Sequence, residues 1–277
     1  MYKKFYYLFI LTLMVTAQAE FDLKSYKFIE SNIKPVRKSR NKNYNKKLLK
    51  KHTTGFSTNW CGYGALTNLV NPVVNSVSQV SGYWIVPQLS PSKGQTFSSA
   101  WVGIDGFVSP TVEQTGTEHD WINGKQFNYA WFEMYPLAED RMGLMNFPVD
   151  IGDLISGMVS YLGNSIFMIS LTNHTKKVFT IIPTKYTTSS VAKRSSAEWI
   201  IEAPCCTFSG DILPLAHFNK INFYNCTATI NNVTGSIDDK SWKNEKLIMI
   251  TNNNIPKALA SALTCGGRNF NATWKHE

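Results

Sequence analysis

From residue 81 to residue 274 the chain repeats one local pattern, a short β-branched and aromatic run followed by a cluster of Asn, Gly, Pro, Ser or Thr. SGYWIVP, SSAWVGIDG, FNYAWFEMYP, LISGMVSYL, SIFMISLTN, KVFTIIPT, SAEWIIEAP, INFYNCTATI, KLIMITN and FNATW are the runs. Such side chains fit a pleated, half-buried surface, and the clusters between them supply turns. Only Pro256 to Leu263 carries a spacing that predicts a helix. Many short strands with regular turns indicate an all-β sandwich or barrel. The length of the chain from residue 55 onward, about 220 residues, favours two large antiparallel sheets packed face to face around one sizeable core.

What precedes this region has a different composition. MYKK, the apolar run FYYLFILTLMVT and the small residues AQA, ending at Ala19, read as a secretory signal peptide over residues 1–19. No later stretch approaches the roughly 20 apolar residues of a membrane helix. Residues 20–54 form a Lys-, Arg- and Asn-rich leader, and the domain is expected over residues 55–277. Met1 to Thr54 hold 13 Lys and Arg against 3 Asp and Glu, whereas the rest holds 15 against 16. The basic character therefore belongs to the leader, which argues against a nucleic-acid protein, whose positive patch belongs on the folded domain. A removable pro-segment fits an exported chain, and a tail for anionic surfaces is the alternative.

Five cysteines, Cys61, Cys205, Cys206, Cys226 and Cys265, leave at least one thiol over in an oxidising compartment and allow one or two disulfides. Sequons occur at Asn173, Asn225, Asn232 and Asn271. No G-x-S-x-G elbow, P-loop, H-E-x-x-H or G-x-G-x-x-G is present. Cys61, in NWCG, has no histidine in its sequence neighbourhood, so a buried thiol or disulfide partner is favoured over a nucleophile. The triplet Glu118-His119-Asp120 suggests a metal site at first sight, but adjacent side chains on a strand diverge.

Four segments place polar groups among aromatic rings. SSAWVGIDG carries Trp101 and Asp105, four residues apart and so on one strand face. In VEQTGTEHDW, Gln114 and Glu118 bracket an expected Gly-containing bend. NYAWFEMYP alternates Trp131, Glu133 and Tyr135 onto one face. SSAEWIIE puts Glu198 beside Trp199 on what reads as a strand, with Ser196, Ile200 and Glu202 sharing its face. Converging polar groups with aromatic walls on a concave sheet describe a binding groove.

With these segments in view, the order NWCG, GYWIVP, AWVGIDG, EQTGTE, AWFEMYP, GD (Gly152–Asp153) and SAEWIIE resembles the glutamic peptidases, or eqolisins. The resemblance runs from about Asn59 to the terminal FNATW. It implies an acid-acting endopeptidase on a lectin-like (concanavalin-like) sandwich of two seven-stranded sheets, made with a basic pro-segment. It places the family's catalytic pair on Gln114 and Glu198 and its groove tryptophan on Trp101. Supporting carboxyl and phenol groups fall on Asp105, Glu118, Glu133 and Tyr135. Met134 stands where a ring is common, which is expected to alter subsite preference. Glu118 stands where some relatives carry Asp, and Cys61 where a small residue is common.

The chemistry suits the two residue types. A carboxylate takes a proton from water and returns it to the departing amine, while an amide N–H stabilises the oxyanion. Imidazole is mostly cationic below about pH 6, whereas a carboxyl with pKa near 4 retains an ionised fraction there. Expected partners are polypeptide substrates and the chain's own leader, with no cofactor or metal implied and nothing suggesting more than a monomer. The competing readings are a glycoside hydrolase using Glu133 and Glu198, and a carbohydrate-binding module using the rings alone. Gln114 discriminates, because neither alternative needs its amide.

Overall fold

The computed structural model describes residues 25–29, 33–35, 54–136, 140–142, 146–185, 191–205 and 211–277. The expected signal peptide, most of the leader and Cys206 lie outside them. Strands occupy β1 (Lys27–Phe28), β2 (Ile33–Pro35), β3 (Thr54–Ser57), β4 (Trp60–Leu66), β5 (Val77–Ile85) and β6 (Thr96–Ile104). They continue with β7 (Val112–Ile122), β8 (Lys125–Tyr135), β9 (Asp140–Met142), β10 (Leu154–Gly163), β11 (Ile166–Asn173) and β12 (Val178–Lys185). The last are β13 (Ser196–Glu202), β14 (Lys220–Ile230), β15 (Val233–Ser236), β16 (Lys243–Ile250), β17 (Pro256–Ala260) and β18 (Phe270–Trp274).

One layer has the order β16–β4–β13–β6–β7–β8–β9–β2. The other runs β1–β12–β11–β10–β5–β14–β18–β17–β16. β16 belongs to both: Lys243–Leu247 pair with β4, and Ile248–Ile250 pair with β17. The sandwich is thus one continuous sheet folded over itself, antiparallel except where β1 joins β12 and β3 joins β16. Alternation drives the folding-over, since most of the long strands carry an apolar face that needs a partner layer. Trp84, Val102, Phe132, Ile155, Phe167, Trp199 and Phe223 fill the space between the layers. Two buried indoles pair across it, Trp199 N–H donating to the Ser81 carbonyl and Trp84 N–H to the Thr117 hydroxyl, both at 2.8 Å.

Two local expectations are overturned. Pro256–Leu263 is not a helix: Pro256–Ala260 form β17, where pairing with β16 and β18 satisfies the backbone more fully than one isolated helical turn. VEQTGTEHDW does not bend at Gly116 but lies within the eleven-residue β7, paired on both sides. Among the cysteines, Cys205 is disulfide-bonded and Cys61, Cys226 and Cys265 are free. Burial pushes the Cys61 thiol up to about 12, so it packs as a small apolar group and not as a nucleophile. Asn173 is fully buried, its amide donating to Pro148 O and to Asp153, which removes it from the accessible sequons.

The glycine of NWCG explains itself at the β4–β13 pairing. Gly62 has φ 149°, and a Cβ there would lie 2.0 Å from the Trp199 carbonyl oxygen. Gly62→Ala is expected to lower stability by about 2–4 kcal/mol. Urea unfolding measures this as a lower midpoint at unchanged slope, and a midpoint equal to that of the parent chain contradicts the placement of Gly62.

Candidate active site

The β13 strand divides its side chains between two environments. Ala197, Trp199 and Ile201 enter the interlayer core. Ser196, Glu198, Ile200 and Glu202 therefore occupy the outer face of the β4–β13–β6–β7–β8 layer. That face carries its own apolar cluster, with Trp60, Trp101, Phe107, Tyr129, Trp131, Tyr135 and Ile200 among its members.

Register decides which polar groups meet there. Glu198 pairs with Gly103, Gly103 with Gln114, and Gln114 with Glu133. Laterally paired residues share a face, so these four form one row across β13, β6, β7 and β8. Glu198 and Gln114 stand two strands apart, roughly 10 Å between Cα atoms. The residue between them has no side chain. A Cβ on Gly103 would come 3.0 Å from both Gln114 Cβ and the Trp101 ring. The Trp101 ring thus borders the position between the carboxyl-bearing and the carboxamide-bearing residue.

The carboxamide is oriented. Gln114 Nε2 donates to Glu133 Oε2 at 2.5 Å, while Gln114 Oε1 is buried without a hydrogen-bond partner among the described residues. One amide hydrogen and one carbonyl oxygen of Gln114 thus remain for a ligand. Glu198 is 0% exposed and Gln114 1% in the full chain. Glu133 lies three strand spacings from Glu198, roughly 14 Å between Cα atoms, and its carboxylate is already engaged by Gln114. A glycosidase pair built from these two carboxyls is not what the row provides.

The neighbouring rows fix the walls. Trp101 lies edge-on against Trp60, ring centroids 4.9 Å apart, and its N–H donates to Glu202 Oε2 at 2.9 Å. Asn59 holds the other Glu202 oxygen at 3.1 Å. Gly116 leaves room for Trp101, since a Cβ there would lie 2.6 Å from Trp101 Cβ. Trp131 N–H donates to the Ser99 hydroxyl at 3.0 Å. On the far side of Glu198, the Phe107 ring covers Gly64. Glu202 and Phe107 are additions to the residues singled out from sequence. Glu202 carried a signal, four residues from Glu198 on the same strand face. Phe107, in a loop, carried none.

The remaining candidates divide. Glu118 shares the groove face one pair beyond Trp101, and Tyr135 shares it one pair beyond Glu133. Asp105 is not on the groove. Its φ of 70° ends the alternation of β6, and its carboxylate accepts from the Arg194 and Ser195 amides (2.6 and 2.9 Å) and the Ser195 and Thr111 hydroxyls. It anchors the loop that leads into β13. Met134 faces the interlayer core, so its identity does not alter a subsite, contrary to the expectation from sequence. His119 also lies on the core side, Nε2 within 2.9 Å of the Thr117 hydroxyl, and burial lowers its pKa to about 3. Glu118 and Asp120 face away from it, so the acidic-histidine triplet does not converge on a metal.

The fold matches known proteins. Residues 58–273 match the model of the Peptidase A4 family. The crystal structure of Scytalido-glutamic peptidase with a peptide-based transition state analogue superposes with a TM-score of 0.64 at 25% identity, covering 79% of this chain and 98% of that one. SCP-B, a member of the eqolisin family solved with the tripeptide Ala-Ile-His, gives 0.61 at 23% identity over 79% and 98% of the two chains. Aspergilloglutamic peptidase from Aspergillus niger gives 0.57 at 22% identity over 65% and 99%. No curated protein matches the chain significantly.

Two core-side carboxyls give this layer an acid preference. Desolvation raises Glu113 well above the usual carboxyl range, with the nearby Asp105 charge adding to it, and desolvation also raises Asp105. The folded state then holds protons that the unfolded chain releases above about pH 4.5, so both groups lower stability as pH rises. His119, kept neutral by burial, acts oppositely and loses stability between about pH 6.5 and pH 3. Glu113→Gln isolates the first effect. It is expected to raise the melting temperature at pH 7 by roughly 3 °C or more and to leave it nearly unchanged at pH 4. Calorimetry at the two pH values checks this, and equal shifts at both contradict a protonated Glu113.

Proposed function

Because the chain belongs to the Peptidase A4 family, the glutamic peptidases, and is a glutamic endopeptidase, we propose that Gln114 and Glu198 hydrolyse the peptide bond between them, with water as nucleophile. The observation that carries this reading is the lateral row Glu198–Gly103–Gln114–Glu133, in which the position between the carboxyl and the carboxamide has no side chain of its own.

Glu198, ionised, takes a proton from a water held above Gly103 as the water oxygen bonds to the scissile carbonyl carbon. The carbonyl oxygen becomes an oxyanion facing the free N–H of Gln114, whose Oε1 accepts the remaining water hydrogen. The C–N bond then breaks, and protonated Glu198 delivers its proton to the departing nitrogen. Water is consumed, an acid and an amine leave, and Glu198 ends as it began. Glu133 does not touch the substrate in this scheme. By holding Nε2 it sets which end of Gln114 faces the oxyanion and which faces the water. Trp101, pinned by Glu202, forms the floor beside the pair. The amide does not titrate in the working range, so a carboxylate is the only group in the pair whose charge must survive acid.

The leader fits a role as inhibitor in an exported zymogen. Its excess of Lys and Arg opposes Glu118, Asp120, Glu133 and Glu198, all on the groove face, and the burial of Gln114 and Glu198 in the full chain supports an occluded site. Glu113 and Asp105 do not join that field, since they serve the core side. Protonation of the groove carboxyls weakens the attraction and favours removal of the leader in acid. The domain is proposed to act as a monomer on polypeptides outside the cell.

Purified mature enzyme is expected to cleave denatured protein between about pH 2 and pH 5 and to fall silent toward pH 8. Gln114→Ala is expected to lower kcat roughly 10²–10³-fold, and Glu198→Gln to lower it by roughly 10⁴-fold or more, to a small residual rate, with the fold intact by circular dichroism. A folded Glu198→Gln enzyme that cleaves at the parent rate contradicts the assignment.

A further inference from the structure

Away from the groove, the leader itself makes a specific contact. Lys27 N–H donates to Lys177 O at 2.8 Å and Ile29 N–H to Phe179 O at 2.7 Å, which adds β1 in parallel to the edge strand β12. The contact has side-chain content as well. Ile29 packs against the interlayer core, and the Phe28 and Phe179 rings meet edge-on at 5.3 Å. Tyr26 places its hydroxyl 3.3 Å from His174 Nδ1, with the rings T-shaped at 6.0 Å. His174 is sandwiched: Tyr83 stacks on it at 5.2 Å and Ser156 Oγ lies 2.8 Å from Nε2. Backbone pairing supplies affinity and the alternate side chains supply selectivity, as in strand-addition recognition generally.

We propose that the β12 edge, with the His174–Tyr83 platform, is the docking surface for the leader segment Ser25–Ile29, and that His174 is a latch which opens in acid. The surface lies on the layer opposite the catalytic row and is separate from the groove. In the neutral ring, Nε2–H donates to Ser156 Oγ and Nδ1 accepts from the Tyr26 hydroxyl. Protonation converts that acceptor to a donor and places charge where the docked strand shields it from water. Burial lowers His174 to about 4, the direction that favours docking at neutral pH and opposes it as pH falls from about 6.5 toward 4.

Among the described residues, the titratable groups against the ring are the phenols of Tyr26 and Tyr83, which stay protonated throughout this range. The adjoining turn adds Lys177 and Lys176, the latter 2.6 Å from Asp150 and 3.7 Å from Asp153, and the docked strand adds Lys27. An edge dock of this kind tethers the leader near the domain at high effective concentration, so opening the latch removes one of its anchor points and leaves the β2–β9 pairing as another. Its use in activation rests on the peptidase reading above. The dock does not.

Hydrogen exchange on the full chain carrying Glu198→Gln, which prevents self-processing, reads the Lys27 and Ile29 amides directly. Their protection relative to intrinsic rates is expected to fall by about tenfold or more from pH 7 to pH 4, while the Ile169 amide of β11 holds. His174→Phe is expected to give equal protection at both pH values, and Asp150→Asn to keep the drop. Tyr26→Phe, a mild change that retains the ring, is expected to reduce protection at pH 7 toward the acid value. Absent protection at pH 7, equal protection at pH 4 and pH 7 in the parent, a drop that survives in His174→Phe, or one that vanishes in Asp150→Asn overturns the proposal. Exchange is read on an inactive chain, so failure of the latch leaves the peptidase reading standing, and failure of the peptidase assay leaves the latch standing.

Discussion

Strand register across β13, β6 and β7 is the constraint from which the rest of the site follows. A one-residue slip at either pairing sends Glu198 or Gln114 into the interlayer core and brings an apolar neighbour out. Trp199 guards against that slip. Its indole is fully buried and its N–H is tied to the opposite layer through Ser81, so β13 cannot be inverted without losing both contacts. The Asp105 carboxylate performs the same service one step earlier, by gathering the Arg194 and Ser195 amides just before the strand begins. Gly103 completes the device by contributing a position without substance.

Polar groups on the two faces of this layer answer to different demands. On the groove face they are arranged to be used: Gln114 is held by Glu133 with its carbonyl oxygen unspent, and Trp101 is held by Glu202. On the core side they are arranged to be silent. Glu113 is kept protonated and His119 neutral, each by the same desolvation acting on opposite charge types. One β7 strand, alternating Glu113, Gln114 and later Glu118, His119, carries both programmes because its side-chain period is two.

The strand pattern made the all-β sandwich readable, and alternation alone placed Trp199 and Glu198 on opposite faces. Gln114 and Glu198 were nominated by resemblance, and the structure supplies the register that sets them in one row. What the sequence left unread was lateral information. Gly116 looked like a bend because a glycine in a strand ordinarily weakens it; its reason is the close approach of the neighbouring strand, where the Ala100 carbonyl oxygen and Trp101 Cβ would meet any side chain. Asp105 sat at the right spacing for the groove, but a positive φ turned it aside. Met134 appeared to be a subsite residue until its parity on β8 sent it to the core. Phe107 comes from a loop, where no periodicity points anywhere. Pro256–Ala260 had a helical spacing that two flanking strands overruled.

The proposed mechanism requires Glu198 and Gln114 to act on one water as a unit across Gly103. A double-mutant cycle on kcat/KM, comparing Gln114→Ala, Glu198→Gln and the pair together, tests that most directly. If the two share a single transition state, the double variant is no slower than the Glu198→Gln enzyme, because the second loss removes a contact already without purpose. Effects that multiply across the cycle would mean that the two side chains act independently and would contradict the account.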